Sequence, residues 1–235
     1  MLCFRCGSPV DDSATVCDNC GQDLSLTTTI PDGKIELPRR KPRQTSPALL
    51  MASTYALGDV LAERYEVLDL VGSGPLGIVY KALDQEIEVE VALKVINSEL
   101  LPTEDARLHF LSAMQCVREL SHPNTVRYLD VDRDGTRCFY VMQYLEGLTL
   151  RKILNLRGSK GQIFSLREVE PIFSQLCEGV GHSAGLVVHG GLKPENIIIL
   201  PDLLKITDFG LPQALPIEAY VGAQRYDADA FPCLA

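Results

Sequence analysis

The sequence lacks any long apolar run, and it lacks an apolar segment close to its first residue. A membrane-spanning helix needs about 18 or more consecutive apolar residues, and a secretory signal needs an apolar core of about 7–15 residues near the start. We therefore expect no membrane segment and a cytoplasmic protein. An excess of positive charge is also lacking, since the formal net charge is −9, which argues against a general nucleic-acid-binding role.

Internal repeats with a period of about 20–50 residues are absent as well, which excludes solenoids and propellers. The 235 residues are 46% hydrophobic and 23% charged, a composition that fits one globular core with a small appendage. Four of the eight cysteines form two C-x-x-C pairs, and this distribution fits a reduced compartment better than a disulfide scaffold. The other four are scattered: Cys116, Cys138, Cys177 and Cys233.

The paired cysteines lie within residues 1–24. Two residues between thiolates allow one tight turn to present both sulfurs to a single ion, and four thiolates make a closed tetrahedral site of the structural kind. The segment resembles a zinc ribbon that folds when it binds its metal. The alternative is a pair of redox dithiols, or cysteines with no shared role. The predicted Zn²⁺ ligands are Cys3, Cys6, Cys17 and Cys20.

Residues 25–58 are rich in Thr, Pro and basic residues and show no apolar period, so they predict a flexible linker. A patch for nucleic acid or an anionic membrane is an alternative interpretation. No aromatic residues alternate with the charges, however, which favours a solvated linker. The basic residues are Arg39, Arg40, Lys41 and Arg43.

From about residue 59 the chain becomes periodic and apolar. Apolar spacing of the helical kind predicts one helix over residues 104–120 and another over 165–185. Ser165 is the expected N-cap of the second helix, with Glu168 as its capping-box partner. Alternating patterns predict strands over residues 64–74, 78–83 and 88–96.

The segment GSGPLGIVY contains Gly72, Gly74 and Gly77 in the spacing G-x-G-x-x-G. A Rossmann turn with this spacing should open a helix, whereas here the glycines lie between two predicted strands. They therefore predict a hairpin whose backbone can lie over phosphate groups. Lys94 follows in an apolar strand, where a charge is costly unless it is used.

Further motifs follow in a fixed order: HPN (122–124), FYVMQYLEG (139–147), HGGLKPEN (189–196) and DFG (208–210). Together with the glycine hairpin and the strand lysine, they resemble the protein kinase family, and LKPEN resembles its serine/threonine branch. The resemblance covers residues 59–235. It implies an α+β, protein-kinase-like two-lobed domain, with an N-lobe at about 59–145 and a partial C-lobe at about 146–235.

The resemblance also implies a site for ATP and Mg²⁺. It assigns the divalent cation to Asn196 and Asp208, and it lets Lys193 touch the γ-phosphate. Met142 stands at the gatekeeper position, and the backbone of 143–145 offers groups to adenine. The residues implied in nucleotide binding are Gly72, Gly74, Gly77, Val79, Ala92, Lys94, Met142, Gln143, Leu145 and Ile198.

Several side chains that the family uses in catalysis are missing. Gly191 occupies the position of the catalytic Asp, which orients the substrate hydroxyl and accepts its proton. Gly190 replaces the Arg that receives a phosphorylated activation loop, and residues 211–235 contain no Ser or Thr that could be phosphorylated. Both changes point to the loss of the same mechanism, which is activation by phosphorylation of a Ser or Thr in this segment.

The strand lysine also lacks its usual partner. Counting back from HPN places Ala113 where the family has a helix carboxylate, so we expect Lys94 to be unpaired. Glu119 would lie on the same helix but six residues further on, which is about 120° around the helix axis. It is therefore a poor substitute.

The last residues, FPCLA, resemble the start of the family's Ala-Pro-Glu motif, with Ala235 as the alanine. The family's domain continues with several more helices. We expect either a fragment or a truncated reading frame, or a partner that covers the surface left open.

These observations favour a zinc-ribbon pseudokinase that binds ATP and Mg²⁺ weakly and acts with protein partners as a regulatory or scaffolding module in cytosolic signalling. One alternative is a weakly active serine/threonine kinase, because positioning and electrostatics carry most of phosphoryl transfer. Another is a degenerate kinase fragment whose only site is the structural zinc.

Overall fold

The structure, a computed structural model, describes residues 11, 14–16, 18, 55–201 and 203–227, with side chains described as far as Ala223. The four cysteines of the predicted zinc ribbon lie outside the described residues, as do residues 25–54 of the predicted linker and Ala235. The domain boundaries that the sequence suggests therefore stay predictions.

The first part of the described chain is a six-stranded antiparallel sheet with the strand order β1-β2-β3-β4-β6-β5. The three strands predicted from alternation are present as β2, β3 and β4. The strands are β1 Val60–Leu61, β2 Tyr65–Gly74, β3 Gly77–Asp84, β4 Val89–Ile96, β5 Tyr128–Asp134 and β6 Arg137–Gln143.

Strand β4 is covered on both faces, which explains its nearly continuous apolar sequence. Leu93 and Val95 belong to one buried cluster, while Ala92 and Ile96 belong to a second cluster on the opposite face. Because side chains alternate along a strand, Lys94 shares the face of Ala92 and Ile96. That face is packed against the helix after β4 and the DFG phenylalanine.

This helix is α1, Glu104–Val117, and Thr103 caps it by accepting a hydrogen bond from the Ala106 amide. It is shorter than predicted. The amide groups of Arg118, Glu119 and Leu120 bond to carbonyls three residues back, which tightens the chain into a turn. The expectation that Glu119 lies on the helix is therefore wrong, since Glu119 follows the helix in that turn.

The second part of the described chain is mainly helical. Helix α3 carries the predicted capping box, since Ser165 and Glu168 satisfy each other's backbone amides. The three-stranded sheet has the order β7-β8-β9, with β7 Leu148–Thr149, β8 Ile197–Ile199 and β9 Leu204–Ile206. The helices are α2 Leu150–Gly158, α3 Leu166–Ser183, α4 Leu211–Ala214 and α5 Ile217–Asp227.

The HPN segment joins the two parts. The Val126 amide donates to the Ile206 carbonyl at 2.9 Å, and the Ile206 amide donates to the Asn124 carbonyl at 2.8 Å. Because Ile206 ends β9, this pairing places the DFG segment beside the first sheet. Along the described ranges, no helix is long and apolar enough to cross a bilayer.

Candidate functional site

The glycine motif forms the β2–β3 hairpin, so the prediction of a hairpin rather than a Rossmann turn is confirmed. Gly72 lies opposite Val79, and Gly74 lies opposite Gly77. A Cβ at Gly77 would lie 2.1 Å from the Val95 carbonyl oxygen, so Gly77 is needed for the close approach of β4. Gly72 and Gly74 have open space around them. Packing therefore does not require glycine at these two positions. The open space also leaves the hairpin backbone accessible to a ligand.

Lys94 has a carboxylate partner. Its Nζ lies 2.6 Å from Asp208 Oδ2, and both side chains are about nine-tenths buried, with exposures of 10% and 9%. The expectation that Lys94 is unpaired is therefore wrong. Ala113 indeed offers no carboxylate, and it packs on the apolar core. A buried cation still requires a counter-charge, and Asp208 supplies it.

Asp208 is also held by a tyrosine that the sequence analysis did not single out. The Tyr140 hydroxyl donates to Asp208 Oδ1 at 2.6 Å, so both carboxylate oxygens accept a short hydrogen bond. A second tyrosine holds the next residue, because the Phe209 amide donates to the Tyr128 hydroxyl at 2.9 Å. A buried tyrosine needs a partner for its hydroxyl. The position of Tyr140 in an apolar strand was therefore the sequence signal for a polar contact at this place.

The electrostatics of this pocket keep Asp208 ionised. Burial alone would raise the pKa of its carboxyl, but the charge and hydrogen bond of Lys94 and the hydroxyl of Tyr140 outweigh burial and lower the pKa. Burial and the nearby Asp208 charge raise the pKa of the Tyr140 hydroxyl well above its ordinary value. Tyr140 is therefore a neutral donor and Asp208 an anion.

The DFG segment is fixed against α1. Asp208 and Gly210 have φ values of 67° and 77°, in the left-handed region. A Cβ at Gly210 would lie 2.4 Å from a Val117 methyl group, so only glycine fits there. The Phe209 ring is fully buried and lies 4.6 Å from the His189 ring. This packing holds the Asp208 carboxylate against Lys94, and we call Lys94, Asp208 and Tyr140 together the Lys94 pocket.

The loop over residues 189–196 keeps an ordered hydrogen-bond network. His189 Nδ1 accepts from the Gly191 amide at 3.3 Å, so Nε2 carries the proton and donates to the Thr207 carbonyl at 3.0 Å. Burial lowers the pKa of His189, which favours this neutral form. The Asn196 side-chain nitrogen donates to the Gly191 carbonyl at 3.1 Å. The loop is thus held in place around a residue with no side chain.

Gly190 lies in a conformation that an arginine would not adopt easily. Its φ is 64°, and a Cβ would lie 2.7 Å from Pro212 Cγ on α4. The proline therefore packs against the loop where the family resemblance places the phosphate-receiving Arg.

Among the residues assigned to nucleotide binding, Val79, Ala92 and Met142 lie in neighbouring strands of the six-stranded sheet, whereas Ile198 lies in the three-stranded sheet. Val79 lies opposite Lys94, and Ala92 lies opposite Met142. Ile198 is the partly buried central residue of β8. At the end of β6 the Gln143 amide donates to the Arg127 carbonyl, and two residues later the Leu145 carbonyl accepts from the Gly147 amide. The assignment of backbone groups of 143–145 to adenine stays a prediction.

The metal ligands assigned from the resemblance lie in two segments that are bonded to each other. The Thr207 amide donates to the Asn196 backbone carbonyl at 2.9 Å, which pairs Asn196 with the residue that precedes Asp208. One amide and one carboxylate oxygen suit a hard divalent cation such as Mg²⁺. Lys193 precedes the short 3₁₀ turn Pro194–Asn196. Within the described ranges, no group of three or more His, Cys, Asp or Glu side chains could hold a metal.

The sheet, the glycine hairpin and the Lys94–Asp208 pair define a protein-kinase fold. Residues 65–229 match the model of the protein kinase domain, and the chain belongs to the protein kinase family.

The chain is similar to bacterial serine/threonine-protein kinases. It is 33% identical to pkn3 of Myxococcus xanthus over 162 residues, which cover 66% of this chain and 29% of that protein. It is 30% identical to PrkC of Bacillus subtilis over 161 residues, which cover 68% of this chain and 24% of that protein. The match thus spans 24–29% of the length of these relatives.

The solved kinase domain of PknI from Mycobacterium tuberculosis has a similar fold. The TM-score is 0.60 at 19% sequence identity, and the match covers 67% of this chain and 62% of that one.

Proposed function

We propose that this protein is a pseudokinase that binds ATP and acts as a regulatory or scaffolding module. One observation carries the proposal: the loop around Gly191 keeps its hydrogen bonds, but the position of the catalytic base has no side chain. In phosphoryl transfer a carboxylate at this position orients the attacking hydroxyl. The contribution of a positioned general base is about 10²–10⁴-fold in rate.

Nucleotide binding is supported by the other side of the cleft. Lys94 and Asp208 are buried together, although removing two charges from water is costly. A buried ion pair whose charges packing does not require is a candidate for a functional site. Lys94 can neutralise phosphate, Asp208 and Asn196 can hold Mg²⁺, and Gly72 and Gly74 leave the hairpin backbone accessible. We infer weak binding, because Lys94 must leave Asp208 at least in part to reach a phosphate.

A weakly active kinase is the second candidate. It is favoured by the similarity to serine/threonine kinases and by the side chains of Lys94, Asn196 and Asp208. Electrostatic positioning supplies most of the catalysis in this reaction, and the base is one contribution among several.

A test of these two candidates measures ATP binding and phosphate transfer on the same protein. We expect ATP with Mg²⁺ to raise the melting temperature and Lys94→Met to abolish that rise. Transfer of radiolabelled phosphate to a generic protein acceptor should stay at background, as in an Asp208→Ala control. Transfer that is robust and disappears in the control would establish the active kinase instead.

The zinc ribbon remains a separate proposal, since its ligands lie outside the described residues. We propose one structural Zn²⁺ per chain, bound by Cys3, Cys6, Cys17 and Cys20. Elemental analysis of metal-replete protein tests this directly, with Cys17→Ser as the variant that should lose the metal. Zinc without any ATP binding would favour the degenerate fragment. Protein partners and a cytoplasmic location are part of the proposed signalling role.

A further inference from the structure

Tyr140 occupies a position that neither catalysis nor packing explains fully. It lies directly opposite Lys94 in the β4–β6 ladder, so the two side chains leave neighbouring strands on the same face and meet at one carboxylate. Their distances to Asp208 are both 2.6 Å. Three polar groups from three parts of the chain thus form one closed network.

We propose that Tyr140 is a positioning residue that compensates for the missing helix carboxylate: it holds Asp208, and through Asp208 it holds Lys94, so that the site binds a divalent cation weakly. This inference rests on the proposed nucleotide-binding function. It adds a specific property to that function, which is a low dependence of ATP binding on Mg²⁺.

Helix α1 cannot anchor Lys94. Its only carboxylates among the described residues are Glu104 and Asp105, which lie exposed in the first turn. Glu104 is already paired with Arg107 and Arg133. Lys94 therefore depends on Asp208 for its counter-charge, and a carboxylate used in this way must itself be held.

The Tyr140 hydroxyl is suited to this task. The ring is fully buried and lies 5.5 Å from the Tyr128 ring, so the hydroxyl has a fixed position. In the structure it is the partner of Asp208 Oδ1, while Lys94 is the partner of Oδ2. A phenylalanine at 140 would keep the ring and leave Oδ1 without that donor.

The same network opposes metal binding. Mg²⁺ takes oxygen ligands at about 2.0–2.1 Å and demands near-octahedral geometry. Each oxygen of Asp208 already accepts a hydrogen bond, and Lys94 adds a positive charge that repels a cation. A metal must therefore share an Asp208 oxygen with one of these two donors and lie close to the Lys94 charge, which lowers its affinity. Removing the Tyr140 hydroxyl frees one oxygen without changing the net charge of the pocket.

The experiment measures ATP affinity by calorimetry, once with EDTA and once with excess Mg²⁺, for the wild-type protein and Tyr140→Phe. We expect the ratio of the two affinities to be at least about tenfold larger in Tyr140→Phe, since a hydrogen bond to a charged group contributes on this scale. Tyr80→Phe is the matched control. Tyr80 is an equally buried tyrosine whose hydroxyl accepts from the Tyr55 amide, away from the site.

A metal-only measurement separates this inference from the proposed function. Binding of Mn²⁺ without nucleotide, followed by electron paramagnetic resonance, should be tighter in Tyr140→Phe than in the wild type and Tyr80→Phe. If no form of the protein binds ATP, the proposed function fails, and the Mn²⁺ result alone supports or overturns the inference. Equal Mg²⁺ ratios and equal Mn²⁺ affinities in the wild type and Tyr140→Phe overturn it.

A second variant tests the inference if Tyr140→Phe does not fold. Ala113→Glu offers Lys94 a carboxylate from α1 and thereby releases Asp208 with Tyr140 intact. The Mg²⁺ ratio should again rise by about tenfold. An unchanged ratio in that variant would also overturn the inference.

Discussion

The Lys94 pocket and the loop over residues 189–196 differ in how they accommodate a missing side chain. The pocket lacks a helix carboxylate at Ala113, and Asp208 with Tyr140 compensates for it. The loop lacks the acid at position 191, and no described side chain takes its place. Burial explains the difference, because an unpaired buried charge is costly, whereas the partly exposed Gly191 leaves no charge unpaired.

This contrast predicts that removing a charge in the Lys94 pocket lowers stability more than a substitution at Gly191 in the loop. Removing the carboxylate with Asp208→Ala leaves Lys94 buried without a counter-charge. We expect the free energy of unfolding to fall by about 3–5 kcal/mol, the usual effect of breaking a buried ion pair. Urea denaturation followed by circular dichroism measures it. Gly191→Ala, a substitution in the loop that removes no charge, is the control, and equal losses in the two variants would contradict the contrast.

The second prediction concerns the other loop glycine. Gly190→Arg places a Cβ in a left-handed conformation and 2.7 Å from Pro212 Cγ. We expect a loss of about 1–3 kcal/mol from backbone strain and displacement of the proline. Gly190→Ala should lose nearly as much, because the strain begins at Cβ. A fully stable Gly190→Arg protein would show that α4 moves freely away from the loop.

Three strands of the six-stranded sheet and the capping box could be predicted from the sequence, because these depend on local patterns. Alternation fixed β2 to β4, and Ser165 with Glu168 marked the start of α3. The charge network was harder to predict, because it depends on contacts between residues far apart in sequence. Lys94 and Asp208 are 114 positions apart, and nothing near Ala113 indicated which carboxylate would replace the missing one.

The end of α1 shows a related limit. Helical spacing continued to residue 120, but the chain turns after Val117. Leu120 is fully buried beyond that turn, and the HPN segment pairs with β9. Tertiary contacts therefore determine where α1 ends, and the local sequence pattern does not indicate these contacts.

The third prediction concerns the pH dependence of stability, to which His189 in the loop should contribute. Burial lowers the pKa of His189 below its ordinary value of about 6.5. The unfolded chain therefore binds a proton at a higher pH than the folded one, and the contribution of neutral His189 to stability is present above pH 6.5 and decreases as the pH falls below it. Melting temperatures between pH 8 and pH 5 measure this loss.

The matched variant for this experiment is His189→Gln, which cannot titrate. Its melting temperature should fall less on acidification than that of the wild type, because every other titratable group is the same in both proteins. Parallel curves for the two proteins would show that His189 does not sense pH.

The smallest expected effect is that of restoring the acid alone. Gly191→Asp supplies a carboxylate at the base position, but Asp208 stays bound to Lys94 and Tyr140, and Pro212 stays packed on Gly190. Transfer of radiolabelled phosphate should therefore remain near background. Adding Ala113→Glu, which gives Lys94 a second partner, should increase transfer by more than the two single changes together, because groups that act as one unit are non-additive. The double variant with Asp208→Ala added is the control and should be inactive. Strong transfer by Gly191→Asp alone would show that the missing acid is the sole defect and that the closed network does not restrain the site.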